Sequence, residues 1–291
     1  MNLNINFSEK TFDNKPREFD QYDEISTTIR QDIIKSLVLA KSGHPGGPLG
    51  ITDVMSVLYF GGQMKYDSSN PSWNERDRFV LSAGHMAPVQ YSVLARAGYF
   101  PTEELKTLRK FGSRLQGHPG LDVHLPGIET SSGSLGQGVS IAVGMAMSDK
   151  LIDKNDRKVY CITGDGELQE GASWEAAMAA GSHKLSNLCW IVDNNDCQID
   201  GRVENILSVY PLKEKFEAFN FDVIEIDGHN YKEILSAFEK FEKNRENGDK
   251  PTCIVAKTYM GKGVSFMNDK YQWHGVPPNE EEAEKALKEL V

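Results

Sequence analysis

Four short runs rich in apolar and β-branched residues, Lys158–Thr163, Asn187–Val192, Phe221–Ile226 and Thr252–Ala256, are separated by stretches of helical pattern over Ser173–Ser182, Leu212–Phe219 and Tyr231–Asn244. This alternation constrains the fold more than any other feature of the chain. Short strands joined by helices of this length form βαβ crossovers, which make neighbouring strands parallel. A series of them predicts an α/β fold: a doubly wound, mostly parallel sheet with helices on both faces. Ligands of such sheets bind beyond the carboxyl ends of the strands.

The first half extends the pattern. Ile25, Ile29, Ile33 and Leu37 recur at four-residue spacing, one face of an amphipathic helix ending near Ser42-Gly43. Asp53–Phe60 suits a second, short helix, Arg78–Ser82 a strand and Ala87–Ala97 a further helix. Gly136, Gly138, Ser140, Ala142, Gly144 and Ala146 give a helix with a small-residue surface, for close packing on the sheet or on a partner helix. A charged helix, Glu280–Leu290, closes the chain. At about 150 residues per domain, 291 residues allow one large domain or two small ones. With no linker or repeat, the reading is an irregular arm over residues 1–20 and a single domain over 21–291.

Composition excludes some partners. The chain has 42 acidic and 32 basic residues, a formal charge of −10 and no Lys/Arg block, which argues against nucleic acid. The longest apolar stretch, Val139–Met147, is far short of the roughly 20 residues of a membrane span, and the N-terminus lacks a signal-peptide pattern. Cys161, Cys189, Cys197 and Cys253 form no CxxC, and three lie in strand runs. They read as isolated buried thiols in a reducing compartment, with the cytoplasm as the expected location.

The chemistry lies at two strand ends. Gly164-Asp165-Gly166 follows the first clear strand and Asp193-Asn194-Asn195 the next, about thirty residues on. If these strands are neighbours, Asp165 and Asn195 offer two hard oxygen ligands side by side, and the glycines leave backbone N–H groups for a phosphate. Two such ligands plus phosphate and water is how magnesium is normally held.

Gly164-Asp-Gly-Glu-Leu-Gln-Glu-Gly171 with the later Asn-Asn resembles the thiamine diphosphate motif of thiamine-dependent enzymes. The surroundings narrow the resemblance to the transketolase family: Ser42-Gly-His-Pro-Gly-Gly-Pro-Leu-Gly50, Arg76–His85, Gly117-His-Pro119, Ser131–Gly138 and Ala256–Gly263, in family order from about residue 25 to 278. The resemblance implies the diphosphate-binding half of such an enzyme. Asp165, Asn195 and the Cys197 carbonyl would coordinate Mg²⁺ or Ca²⁺. The cofactor would be thiamine diphosphate, held by Gly133, Ser134, Leu135, Gly164, Gly166 and Glu167, with the Gly166 N–H on the diphosphate and the Gly133 carbonyl on the aminopyrimidine. The sequence departs from the family at Asn194, where Asp is frequent, at Ala83, where Asn is common, and at Leu115-Gln116, which implies a reshaped donor pocket.

Of the histidines that stand beside a glycine, four are singled out by their loop-like contexts: His44 and His118 in Gly-His-Pro-Gly, His85 after Ser-Ala-Gly and His274 in Trp-His-Gly. Imidazole suits a site that moves protons near neutral pH. By resemblance, His85 and His274 lie near the diphosphate and donor hydroxyls, and His44 and His118 face the substrate oxygen deprotonated during carbon–carbon cleavage. Glu170 either favours a helix N-terminus or, as in the family, joins a carboxylate relay across a subunit interface. His183 and His229 read as structural, and His124 is ambiguous.

The reaction implied is transfer of a two-carbon ketol unit from a ketose or its phosphate to an aldose or its phosphate. Family members also use a pyrimidine-binding domain, for which the chain shows no second doubly wound pattern. The expectation is therefore an N-terminal subunit of a split transketolase. It would pair with a separate C-terminal subunit in a heterotetramer of two copies of each. Other readings are a deoxyxylulose-phosphate synthase-like or 2-oxo acid dehydrogenase E1-like subunit, or a non-catalytic cofactor-binding scaffold.

Overall fold

The computed structural model describes residues 5–291. Its main sheet contains β1 (Arg78–Leu81), β2 (Val159–Gly164) and β3 (Leu188–Asn194). A small antiparallel hairpin follows, β4 (Cys197–Gln198) and β5 (Gly201–Arg202), and then the sheet strands β6 (Asp222–Asp227) and β7 (Thr252–Lys257). Strand order is β1-β2-β3-β7-β6, every neighbouring pair parallel. All five sheet strands fall on the runs read from the sequence.

The helices are α1 (Phe19–Ala40), α2 (Gly46–Phe60), α3 (Ala87–Arg96), α4 (Gln137–Met147), α5 (Gly171–Ser182), α6 (Val203–Leu207), α7 (Leu212–Ala218), α8 (Tyr231–Asn247) and α9 (Glu280–Glu289). Alternation along the strands sorts side chains into two cores. Tyr160, Ile162, Cys189, Ile191, Ile254 and Ala256 pack with α1, α2, α3 and α8. Val159, Cys161, Leu188, Trp190, Cys253 and Val255 pack with α4, α5 and α7 on the other face. The four cysteines are free and buried. Among the described residues no helix is long and apolar enough to cross a membrane.

Helix α2 begins at Gly46, well before the Asp53 expected from sequence. The Gly-Gly-Pro-Leu-Gly tract reads as a loop, yet Pro48 falls in the first turn, where an amide has no intrahelical partner to lose. Its glycines answer to packing. A Cβ on Gly46 would lie 2.3 Å from Met260 Cγ, and one on Gly50 would lie 3.0 Å from the Tyr259 carbonyl oxygen. On α4 the small residues divide: Gly138, Ala142 and Ala146 are buried, whereas Ser140 and Gly144 are exposed.

Of the expected arm, residues 1–4 lie outside the described residues; residues 5–18, ahead of α1, are irregular but docked, with Phe7 and Phe12 buried in the first core. Arg96 holds it. The guanidinium donates to both oxygens of Asp32 at 2.6 and 2.7 Å and to the Ser8 and Lys10 carbonyls at 2.8 and 2.7 Å. Both side chains are almost wholly buried, and burial pushes the Asp32 carboxyl above its ordinary pKa against the pull of Arg96. Arg96→Ala, which strands that buried carboxyl, is expected to cost about 3–5 kcal/mol in urea unfolding. Arg96→Lys should recover only part of this, because the bidentate fork is lost.

Candidate functional site

Strands β2 and β3 pair with Gly164 opposite Asp193, so the two glycine- and asparagine-bearing turns leave the sheet side by side. They floor a cavity of about 310 Å³ at the carboxyl ends of the strands. Gly164–Glu167 follow β2, and Asn195 and Cys197 follow β3. His85 and Met86 come from the turn after β1, and Met260 from the segment after β7. His44, Gly133, Leu135 and His274 complete the wall.

The floor is a fixed polar lattice. Asp165 accepts the Gly166 N–H on Oδ1 at 2.8 Å and the Asp196 N–H on Oδ2 at 2.5 Å. Asn195 donates through Nδ2 to Asp193 at 2.7 Å and accepts the Cys197 N–H on Oδ1 at 2.8 Å. The Thr258 hydroxyl donates to the other Asp193 oxygen. Glu167 Oε1 accepts from the Ser82 hydroxyl at 2.5 Å and the Gly136 N–H at 2.9 Å, tying the end of β1 to the start of α4. Asp165, Glu167 and Asp193 are all buried. Burial, reinforced by the charge of Asp193, pushes Asp165 up to about 7. Burial, with a smaller push from the Glu170 charge, raises Glu167 to about 7, and burial raises Asp193 to about 6, each against its hydrogen bonds.

Among the described residues no group of three or more His, Cys, Asp or Glu side chains is placed to hold a metal. The expected ligand set needs no such group, since it uses one carboxylate, one amide oxygen and one main-chain carbonyl. The donors fit a hard cation in kind. Adjacent buried carboxyls with raised pKa values are what a bound cation would relieve. Three buried atoms lack hydrogen-bond partners here: Glu167 Oε2, His44 Nδ1 and His274 Nδ1. They leave polar capacity for a ligand.

The imidazoles of His44, His85 and His274 form a triangle, with ring centroids 5.2, 5.6 and 4.9 Å apart. His118 lies to one side of it, exposed and outside the cavity lining. A Cβ on Gly133, whose φ is +133°, would lie 2.7 Å from His118 Cδ2, so only glycine fits there. Burial, then the neighbouring histidines and Arg109, lowers His44 to about 4. Burial likewise holds His85 well below the ordinary value and lowers His274 and His118, with Arg109 adding to the effect on His118. All four shifts favour the neutral imidazole.

Other expected residues sit at the margin. Glu170 is exposed on the rim, where it precedes α5 without a capping bond. Ser134 is exposed outside the cavity lining, and its carbonyl accepts the Gln137 N–H. Asn194 Oδ1 accepts from the Tyr210 hydroxyl at 2.9 Å. Leu115 is a core residue and Gln116 is exposed, and neither lines this cavity. Sequence reasoning missed Asp193 as a partner of Asn195. It also missed Met86, Ile199 and Met260 in the wall. Asp193 had a signal, as an acid closing a buried strand. The apolar three had none.

A family model described as transketolase, thiamine diphosphate binding domain, matches residues 22–290. The chain is 43% identical over 272 residues to a 6-deoxy-6-sulfo-D-fructose transketolase subunit of a Clostridium species, covering 92% of this chain and 97% of that one. It is 40% identical over 261 residues to one subunit of the apulose-4-phosphate transketolase of Phocaeicola vulgatus, covering 90% of each. Among solved structures, transketolase from Campylobacter jejuni superposes with a TM-score of 0.86 at 39% identity, over 94% of this chain and 43% of that one. The chain thus spans nearly the whole length of the two subunits and less than half of the one-chain enzyme.

Proposed function

The chain belongs to the transketolase family, matching its thiamine diphosphate-binding domain, and from that premise we propose that it is the N-terminal subunit of a two-chain transketolase. It would transfer a two-carbon ketol unit from a ketose or ketose phosphate to an aldose or aldose phosphate. The observation that carries this reading is the triangle of His44, His85 and His274 walling a cavity with an oxygen-lined floor. The names of the two subunit relatives support the two-chain arrangement.

Asp165, Asn195 and the Cys197 carbonyl would hold Mg²⁺ or Ca²⁺, which neutralises the cofactor diphosphate. Thiamine diphosphate, when bound, supplies the carbon that takes up and releases the two-carbon unit. The protein's part is positioning and proton transfer. Gly164 and Gly166 let the backbone approach the diphosphate. Gly133 and Leu135 meet the rings, Ser134 shapes their turn, and Glu167 fixes that turn to β1. His85 and His274 would donate to diphosphate and donor hydroxyls. His44 and His118, both shifted toward the neutral form that can accept, would take the hydroxyl proton as the carbon–carbon bond breaks.

Residues 21–291 form one diphosphate-binding domain in this reading. The pyrimidine-binding and C-terminal domains lie on a partner chain, Glu170 faces that interface, and two copies of each chain form a heterotetramer. Four free buried thiols suit the cytoplasm. The test is an assay of the chain with thiamine diphosphate, Mg²⁺ and sugar phosphates, with and without a chain carrying a pyrimidine-binding domain. Ketol transfer should be negligible alone and appear on mixing. Full activity alone would overturn the two-chain arrangement, and turnover of pyruvate in place of ketoses would overturn the reaction class.

A further inference from the structure

The tract from Tyr259 to His274 delivers two residues to the cavity, Met260 and His274. Its only helical element is one short turn at Tyr271–Trp273, and contacts from outside the cavity hold it. The Gly261 N–H donates to the Gly46 carbonyl at 2.9 Å. Arg202 reaches from β5 to grip Asp269, Nη1 to Oδ1 at 2.7 Å and Nη2 to the main-chain oxygen at 2.9 Å. At the start of the tract, the Tyr259 N–H donates to His229 Nε2 at 3.0 Å.

His229 is in turn held from behind. Its Nδ1 lies 2.8 Å from Asp53 Oδ2, which also receives Arg30 Nη2 at 2.7 Å, and the Tyr231 hydroxyl donates to Asp53 Oδ1 at 3.2 Å. Side chains of Asp53 and His229 are 4% and 7% exposed. Although burial favours the neutral acid, Arg30 and the His229 donor hold the Asp53 carboxyl well below the usual carboxylate range. An ionised Asp53 only accepts, so the His229 proton resides on Nδ1 and Nε2 is an acceptor. The imidazole completes a directional chain from guanidinium through carboxylate to a backbone amide.

We propose that His229 is a positioning residue: by joining the buried Arg30–Asp53 pair to the Tyr259 N–H, it sets where the 259–274 tract presents Met260 and His274 to the cavity. Of the common side chains, a neutral imidazole offers a donor and an acceptor on opposite sides of one rigid ring. The tract has little slack, because Gly46 and Gly50 of α2 abut Met260 and the Tyr259 carbonyl. The His229 and Tyr259 rings also stack, with centroids 5.7 Å apart and planes 13° apart. A shift of the Tyr259 amide is therefore passed along the backbone to Met260.

The consequence for catalysis rests on the transketolase reading; the clamp itself does not. Two substitutions separate its halves. His229→Asn keeps a donor near Nδ1 for Asp53 and loses the acceptor, whereas His229→Gln can place an amide oxygen near Nε2 for the Tyr259 N–H. In the full chain, amide exchange across Tyr259–Gly263 should quicken by about tenfold in His229→Asn, which loses the acceptor, and by only about threefold in His229→Gln, which keeps the acceptor but loosens the tie to Asp53. In the partnered enzyme, kcat should follow the same order. Unchanged exchange in His229→Asn, or equal acceleration in both variants with equal loss of Tm, would overturn the proposal. If exchange behaves as expected but wild type transfers no ketol unit, the clamp stands and the functional reading fails.

Discussion

Asp165→Asn is expected to abolish the thermal stabilisation that thiamine diphosphate and Mg²⁺ give the protein, and to lower ketol transfer in the partnered enzyme on the order of a thousandfold or more. A ligand at about 100 times its Kd raises stability by ~2.7 kcal/mol, so the lost shift should be plain in a melting curve. The same loss should follow from chelating the metal from wild type. The free variant should keep nearly wild-type stability. The substitution removes one of two neighbouring buried carboxyls and relieves like-charge repulsion with Asp193, but it sets an amide against the Asp196 N–H and gives up that hydrogen bond. These effects oppose each other at roughly 1 kcal/mol each. A variant that still melts higher with cofactor and Mg²⁺ would remove Asp165 from the proposed metal site.

Strand adjacency is also why this part of the site was legible in the sequence. Asp165 and Asn195 each follow a buried strand, and adjacency of parallel strands is what βαβ alternation implies, so their meeting follows from pattern alone. The onset of α2 was not legible, because Gly46, Gly47, Pro48 and Gly50 advertise a loop. Their composition reflects close packing against Met86 and residues 259–260, a contact between segments more than 200 positions apart for the latter pair. Met260 and Ile199 reach the cavity through tertiary folding and carry no polar signature of their own. His229 reads as structural from its neighbours in sequence. Only the fold brings Asp53 to one side of its ring and the Tyr259 amide to the other. Local chemistry is thus readable where it ends a strand, and obscure where a distant backbone sets it.

His44→Asn is expected to lower kcat by about 10²–10⁴, with the cofactor-dependent rise in Tm retained, because the loss of a positioned general base falls on the reaction step. Burial and the charges of His274, Arg109 and His118 hold His44 at about 4, so its acid limb in a pH–rate profile should lie well below the ordinary imidazole value. The same shift predicts how stability responds to acid. The unfolded chain protonates this imidazole below about 6.5, while the folded one remains neutral to about 4. Between those values the unfolded state binds more protons, so stability rises with pH and is lost on acidification. His85, His118 and His274 are shifted in the same direction and add to the slope. Urea unfolding at pH 5 and pH 7 should show a shallower pH dependence in His44→Asn than in wild type, by at most about 1.4 kcal/mol per pH unit. Equal slopes in the two proteins would mean that the His44 imidazole takes up its proton in the folded state as it does in the unfolded chain, and would remove the desolvation argued for it.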